Sequence, residues 1–412
     1  MSREGVRRTA AVPRFAPVVA AAWPAAAEAG ALLASLGIEV TVDDAARLAL
    51  AAGAAEVEGR PSSVERDWAD AGAMAITGWP HRAPVDPVGR PATVARAAGL
   101  AFELLSGTRV DGAALLGERA ALMGLRRHGQ LSAGGGTRML RAHDNWWALN
   151  LARDLDLVPA LIESALDGDP WQQVGEWSAH RPVAAVIERT RLLGLAAAAL
   201  GETSAPSSPW RIEPRADAGP APRAPVVVNF GALWAGPLAA QLLALGGAQV
   251  VDVETPERPD PTRVTSPEFY RRLHAGHERR QVDFADPAQL HDLIAAADVV
   301  IEASRPRAFE ALGLDARAIL ASGRPRIWLR ITGHGDPSRI AFGDDAAVGG
   351  GLVAWDTGEP VFAGDAIADP LTGVLAALAV TAGLRTDASC LIEMSLADVA
   401  AYCARPPVGS PS

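Results

Sequence analysis

The chain has 412 residues, a formal net charge of −10 and 49% hydrophobic residues, which suits two or three globular domains with their own cores. The acidic balance argues against a nucleic-acid-binding protein, and no uninterrupted apolar stretch approaches the roughly 20 residues of a membrane span. All 38 basic residues are arginine, which excludes lysine Schiff bases and a P-loop. Cys390 and Cys403 have no histidine pattern beside them. A disulfide framework or a metal site is therefore not expected, and a cytoplasmic location is.

Residues 1–201 predict a smaller α+β domain. Ala-rich helical patterns come first, and a helix begins after Pro91. The triplet Gly134–Gly136 lacks the strand-then-helix context of a phosphate-binding loop, so it predicts a flexible turn. His143–Asn145 predicts a turn between two strands, and three amphipathic helices follow between Asp154 and Leu193.

A change in composition marks the domain boundary. Residues 202–224 contain five prolines and little periodicity, which predicts an extended linker. Residues 225–404 form the second predicted domain, and residues 405–412 form a tail.

The second domain opens on a βαβ pattern. Val226–Val228 predicts a buried strand, Pro237 a helix start, and Gln249–Val253 a second strand. Strand and helix patterns then alternate through residues 298–303 and 327–331. Alternation of this kind predicts an α/β fold, with a Rossmann-like parallel sheet and right-handed crossovers.

Motifs within this domain resemble the first half of a family III CoA-transferase. That family also contains formyl-CoA transferases and 2-methylacyl-CoA racemases. The pieces that carry the resemblance stand in the family's order: Ala235-Gly236-Pro237, Val253-Glu254, Asp260-Pro261-Thr262-Arg263, Arg305-Pro306, Thr332-Gly333, Ala368-Asp369 and Thr372-Gly373.

The resemblance implies that Asp369 is the nucleophile that attacks an acyl-CoA thioester. The reaction would pass through a mixed anhydride and an aspartyl-CoA thioester. The residues themselves leave two roles open. Asp369 before Pro370 predicts a helix N-cap, where backbone N–H groups favour a carboxylate, and capping without catalysis is the alternative.

The resemblance also implies a binding site for CoA or acyl-CoA as substrate, with a carboxylic acid as the second substrate. No permanently bound cofactor, metal, nucleic acid or membrane partner is expected, and a homodimer is. The residues expected around CoA are Leu233, Trp234, Ala235, Gly236, Pro237, Glu254, Arg263 and Arg305. Those expected near the acyl group are Gly333, His334, Gly335, Asp344 and Asp345.

The order of the halves departs from the family. Residues 110–200 resemble the family's second half, so the two halves stand in swapped order. A weak internal repeat accompanies this arrangement: Gly72, Thr77-Gly78 and Arg90-Pro91 align with Gly351, Thr357-Gly358 and Asp369-Pro370. The first copy has Arg90 at the nucleophile position.

Two other functions stay open at this point. An acyl-CoA racemase or epimerase would pair Asp369 with Asp344 or His334, since proton transfer at an α-carbon needs two flanking groups. A non-catalytic CoA-binding or partner subunit is the second alternative.

Overall fold

The computed structural model describes residues 24–54, 63–284, 286–303 and 306–406. Before residue 200 the described chain is mostly helical, with short 3₁₀ turns at Ala73–Ile76 and Leu155–Leu157. The α-helices of this part are α1 (Pro24–Ser35), α2 (Val42–Ala54), α3 (Val64–Asp70), α4 (Pro91–Ser106), α5 (Leu115–Met123), α6 (Val158–Ile162), α7 (Pro170–Ala179) and α8 (Val183–Leu193).

The second half adds nine described helices between its strands. They are α9 (Ala235–Leu245), α10 (Thr262–Thr265), α11 (Pro267–Leu273), α12 (Pro287–Ala296), α13 (Pro306–Ala311), α14 (Ala316–Leu320), α15 (Gly343–Gly349), α16 (Ala368–Gly383) and α17 (Leu396–Cys403). Among the described helices, none combines the length and apolar character needed to cross a bilayer.

Twelve described strands form three sheets. The strands are β1 (Thr137–Arg141), β2 (Trp146–Asn150), β3 (Ala197–Ala199), β4 (Arg211–Asp217), β5 (Val226–Asn229), β6 (Gln249–Glu254), β7 (Glu278–Gln281), β8 (Val299–Glu302), β9 (Ile327–Thr332), β10 (Val353–Asp356), β11 (Glu359–Phe362) and β12 (Ala388–Ser395). Strands β1 to β3 form an antiparallel sheet, and β10 and β11 form a hairpin.

The largest sheet has the order β4-β12-β9-β8-β5-β6-β7. All neighbours are parallel except β4, which runs antiparallel to β12. The β-branched runs of β5, β6 and β8 are buried, as expected for strands covered on both faces. The predicted α/β class with a Rossmann-like parallel sheet is confirmed.

The predicted linker requires a correction. Residues 211–217 form β4, which pairs with β12 at the edge of the large sheet. The proline content of this segment obscured a period-two pattern in which Ile212 and Ala216 alternate with charged residues. Pro214 is tolerated because an edge strand has one side without ladder hydrogen bonds. The division into a 1–201 and a 225–404 domain stays a prediction.

The largest hydrophobic core is shared by both parts of the chain. Helix α4 packs against α16, so Phe102 and Leu105 are buried in the same cluster as Leu375 and Leu378. Phe102 also lies against the end of α9, where a Cβ added to Gly246 would be 3.3 Å from its Cζ atom. Folding of the parallel-sheet region is therefore coupled to the helices that precede it.

The two copies of the weak repeat share local geometry. Helices α4 and α16 both span 16 residues, and Gly72 and Gly351 have φ angles of 73° and 75°. Arg90, at the nucleophile position of the first copy, forms a buried ion pair with Glu28 at 3.0 Å, and the Tyr402 hydroxyl donates to the same carboxylate. The matching helix lengths and glycine φ angles support the repeat. In the first copy, Arg90 stabilises the fold through its ion pair with Glu28.

We expect Phe102→Ala to lower the free energy of unfolding by about 3–5 kcal/mol, the cost of removing a buried aromatic ring from a core. Leu192→Ala is the matched control, because 75% of Leu192 is exposed. Urea denaturation followed by circular dichroism and by tryptophan fluorescence measures both variants. Equal midpoints for F102A and the wild-type protein would contradict the shared core.

Candidate active site

A crevice opens where the order of the large sheet reverses. From β5 the chain proceeds through β6 to β7 at one edge, and then returns to β8 on the other side of β5. Parallel sheets bind ligands at this switch point, beyond the carboxyl ends of the strands. The turn after β5 lies tightly against the end of β8, since a Cβ on Gly231 or Gly236 would approach Ala303 Cβ to 3.3 or 3.4 Å.

The turn after β5 is held in an unusual conformation. Leu233 has a φ angle of 70°, in a region that non-glycine residues seldom occupy. Its backbone N–H donates to Asp260 Oδ2 at 2.9 Å, and Asp260 Oδ1 accepts from the Thr262 N–H at 2.8 Å. One buried carboxylate thus ties the turn to the start of α10, which stabilises the strained geometry.

A cavity of about 200 Å³ lies beside this turn and contains Asp369 in its wall. The second half of the chain contributes Leu233, Trp234, Thr262, Phe342, Asp344, Ala366 and Asp369. The first half contributes Arg119, Gly134, Gly136, Asn150, Ala152, Arg153 and Asp154. Residues from both sides of the predicted domain boundary therefore build one site.

Asp369 is half-buried, and its position corrects the predicted N-cap. Helix α16 begins at Ala368, so Asp369 is the second residue of the helix. Its Oδ2 atom accepts the backbone N–H of Gly343, at the start of α15, at 3.1 Å. A Cβ at residue 343 would lie 2.4 Å from that oxygen. Glycine is needed there because two helix starts meet at this point.

The pKa values of two carboxyls in this cavity are raised. Burial raises the pKa of Asp369 to about 7, with Arg119 opposing the shift and the charge of Asp344 adding to it. Burial also raises the pKa of Asp344 to about 6, and the neighbouring Asp365 adds to that shift. Both groups therefore exchange protons near neutral pH, which is a property of acid–base and nucleophilic carboxylates.

Arg119 reaches this acidic cluster from α5. Its guanidinium donates through Nε and one Nη atom to the two oxygens of Asp365, at 2.7 and 2.5 Å. Its Cζ atom also lies 4.7 Å from the centre of the Trp234 ring. The bidentate pair compensates the charge of Asp365, which has no exposed surface.

A chain of hydrogen bonds links the first half of the protein to Asp344. The Ala152 N–H donates to Asn150 Oδ1 at 3.0 Å, and Asn150 Nδ2 donates to Thr137 Oγ1 at 3.0 Å. Thr137 Oγ1 in turn donates to Asp344 Oδ2 at 3.4 Å. These contacts fix the segment after β2 against the wall that holds Asp369.

Some of the predicted CoA-contact residues lie at this cavity and others do not. Leu233 and Trp234 line it, and Ala235-Gly236-Pro237 begin α9 directly behind them. Glu254 and Arg263 form an ion pair with each other at 2.6 Å, so neither charge is free. Arg305 lies outside the described residues.

The predicted acyl-group residues divide in the same way. Asp344 lines the cavity, whereas Asp345 is buried and caps its own helix by accepting the Phe342 N–H at 2.8 Å. Gly335 lines a different cavity, with Trp210 and Ser395. His334 is buried near Gly349, and burial lowers its pKa to about 3. None of Gly333, His334 and Gly335 lines the cavity that contains Asp369.

A second polar cluster lies behind the turn after β5. Asp252 Oδ2 is 2.7 Å from His274 Nδ1 and 2.9 Å from His277 Nδ1. Burial alone would raise the pKa of Asp252, but hydrogen bonds from both histidines bring it below its ordinary range. Three such groups are potential metal ligands, yet these separations are those of direct hydrogen bonds. The cluster fits an internal network that supports the Asp260 side of the turn.

Sequence reasoning missed Arg119, Asn150 and Arg153 as site residues, and interpreted Gly134–Gly136 as a flexible turn alone. The glycine triplet was a usable signal, because small residues permit close approach of a ligand or a helix. What was lacking was its distance to Asp369, which only the tertiary structure supplies.

Comparison with known proteins finds a family match in the second half of the chain. Residues 225–410 match the sequence profile of CoA-transferase family III. This segment is similar to the family III CoA-transferases. The match begins at the strand before the turn and includes Asp369, but it does not extend to the first half of the chain.

Named relatives also match part of the chain. A succinate–glutarate CoA-transferase from Agrobacterium fabrum is 32% identical over 200 residues, which are 42% of this chain and 50% of that protein. A succinyl-CoA–D-citramalate CoA-transferase from Chloroflexus aurantiacus is 30% identical over 175 residues, 38% of this chain and 44% of that protein. The chain thus spans about half the length of the curated relatives it matches.

Solved structures also match over part of the chain. A hypothetical protein (Rv3272) from Mycobacterium tuberculosis is 29% identical, with a TM-score of 0.40, over 44% of this chain and 57% of that one. A CAIB/BAIF family protein from Brucella suis is 29% identical, with a TM-score of 0.39, over 44% of this chain and 55% of that one.

We expect Arg119→Gln to destabilise the protein by on the order of 3 kcal/mol, because it leaves the buried Asp365 charge without its partner. Arg126→Gln, an exposed arginine outside the cavity, is the control with the same change in net charge. Thermal and urea unfolding measure both. Unfolding midpoints that match for the two variants would show that the Arg119–Asp365 pair contributes little.

Proposed function

We propose that this protein transfers CoA between an acyl-CoA and a carboxylic acid, with Asp369 as the nucleophile. The observation that carries the proposal is the position of Asp369: it lies in the wall of a cavity at the switch point, inside the segment that matches the CoA-transferase family. The named relatives are CoA-transferases as well. CoA itself is a substrate in this proposal, and a contact of Leu233 and Trp234 with its thioester end is supported by their position in the wall of the same cavity.

The chemistry follows from a carboxylate nucleophile. The Asp369 carboxylate attacks the thioester carbonyl, an acyl–oxygen bond forms, and the carbon–sulfur bond breaks to release CoA thiolate. The thiolate then attacks the aspartyl carbonyl of this anhydride, which gives aspartyl-CoA and frees the donor acid. The acceptor carboxylate attacks aspartyl-CoA to form a second anhydride and to release the thiolate again. Attack of that thiolate on the new acyl carbonyl yields the product acyl-CoA and restores Asp369.

The environment of Asp369 supports this role. In a partly desolvated cavity the carboxylate keeps little hydration, so it is a better nucleophile than an exposed carboxylate. The Gly343 N–H donates to Oδ2 and orients the side chain towards the cavity. The first half of the chain acts as the family's second half in this proposal, since it supplies the opposite wall.

The working unit is expected to be a cytoplasmic homodimer, and native mass spectrometry measures that assembly.

Asp369→Asn is expected to reduce CoA transfer by about 10³-fold or more, because an amide cannot form the anhydride. Incubation with a panel of acyl-CoA thioesters followed by hydroxylamine should label Asp369 as a hydroxamate, detected by peptide mass spectrometry. Asp111→Asn is the control, since this exposed residue accepts the Ala114 N–H, a contact that asparagine can also make. If no acyl-CoA gives an Asp369-dependent adduct, the non-catalytic partner subunit becomes the better explanation.

The rate of adduct formation should rise with pH. Because the pKa of Asp369 is about 7, the carboxyl is mostly protonated at about pH 5.5 and cannot attack. The rate should increase roughly tenfold per pH unit below the pKa and level off above about pH 8. Asp344→Asn removes a neighbouring negative charge, which lowers the pKa of Asp369 and moves the midpoint to lower pH. A rate that is constant between about pH 5.5 and 8.5 would contradict this assignment.

An acyl-CoA epimerase is the second candidate function. Asp344 and Asp369 share one cavity, and both have pKa values near neutrality, as an acid–base pair requires. Deuterium incorporation into the α-carbon of a chiral 2-methylacyl-CoA, without any acceptor acid, would favour this function. His334, the other partner considered for it, does not line the cavity.

A further inference from the structure

The two arginines in the wall of the Asp369 cavity are in different states. Arg119 is paired in a bidentate manner with Asp365. The Arg153 side chain is exposed, and among the described residues it has no hydrogen bond, ion pair or ring contact. Among the described residues lining the cavity, Arg153 is thus the cation whose charge is still available to a ligand.

The backbone of Arg153 is fixed although its guanidinium is free. The preceding N–H, of Ala152, donates to Asn150, and the Leu151 N–H donates to the Gly136 carbonyl at 3.0 Å. Asn150 is connected through Thr137 to Asp344. Arg153 therefore extends from a segment that is held against the wall containing Asp369. Its side chain loses no protein contact when it binds an anion.

The volume of the cavity limits the size of the anion that it can hold. A volume of about 200 Å³ suits a short acyl chain, because roughly 150 Å³ accommodates a benzene-sized molecule. Pockets that enclose larger, drug-sized ligands are typically about 300–1,000 Å³. The nucleotide of CoA therefore lies outside, and the cavity receives the acyl group or the acceptor acid.

We propose that Arg153 determines the specificity of this enzyme by binding a second carboxylate, at the far end of a short dicarboxylic acid whose first carboxylate reacts at Asp369. This inference rests on the proposed CoA transfer and names its substrate class. A guanidinium binds a carboxylate through two parallel hydrogen bonds, which gives both strength and orientation. A chain that carries acids at both ends is held with one end at Arg153 and the other at Asp369.

The test compares acids that differ only in the second carboxylate. With saturating succinyl-CoA, kcat/KM is measured for glutarate and for pentanoate, which have the same chain length. The wild-type protein should prefer glutarate, and Arg153→Gln should reduce that preference about 10- to 100-fold, mainly through KM. This is the range expected for losing hydrogen bonds to a charged group. Arg153→Lys should fall between the two, since an ammonium keeps the charge without the bidentate geometry.

Arg126→Gln, the exposed arginine outside the cavity, is the charge-matched control and should leave the preference unchanged. Equal preference for the two acids in the wild-type protein, or equal losses for both acids in R153Q, would overturn the proposal. In R153Q, a rise in the KM for butyryl-CoA, whose acyl group has no second carboxylate, would overturn it too, because it would place Arg153 at the diphosphate of CoA.

Direct binding separates this inference from the proposed function. Isothermal titration of glutarate and pentanoate into the wild-type protein and R153Q needs no turnover. Tighter binding of glutarate by the wild-type protein, lost in R153Q, supports the Arg153 contact even if every transfer assay is negative. If the wild-type protein transfers CoA but binds the two acids equally, the specificity assignment fails while the transferase function stands.

Discussion

The ion pair between Arg119 and Asp365 is the interaction on which the candidate site depends. Asp344, Asp365 and Asp369 lie close enough for each to raise the pKa of the Arg119 guanidinium. Three carboxylates crowded in a partly desolvated space repel one another, and a buried charge without a partner is costly. Because Arg119 neutralises Asp365, the other two carboxyls remain near the cavity with pKa values close to neutrality. The guanidinium that makes this possible comes from α5, in the other half of the chain.

This dependence explains why the candidate site needs both halves of the chain. Packing of α4 on α16 sets the position of the helix that holds Asp369, and the hydrogen bonds from Asn150 through Thr137 reach Asp344. The glycine-rich segment and Arg153 close the cavity from the same side. A parallel-sheet domain alone would present Asp369 at an open crevice, with its acidic neighbours exposed to water and their pKa values correspondingly lower.

The elements with strong local signals were predicted well. The βαβ unit from Val226 to Glu254 and the strand that ends at Thr332 appear as expected, because β-branched runs between turn residues depend little on distant contacts. The edge strand at residues 211–217 was missed because its prolines resemble a linker. Asp369 was expected to cap its own helix but accepts an N–H from α15, since a capping signal in sequence does not distinguish a helix's own N–H groups from those of a neighbour.

By itself, the sequence determined the fold class, the nucleophile candidate and the turn that lies beside it, since each of these is encoded in a short segment. Tertiary structure decided which side chains meet that nucleophile. It brought Arg119, Asn150 and Arg153 into one cavity with Asp369 from more than two hundred positions away in the chain. It left Gly333, His334 and Gly335 outside the lining of that cavity. The reason is physical: burial, pairing and pKa depend on distances between segments, and local periodicity carries no information about those distances.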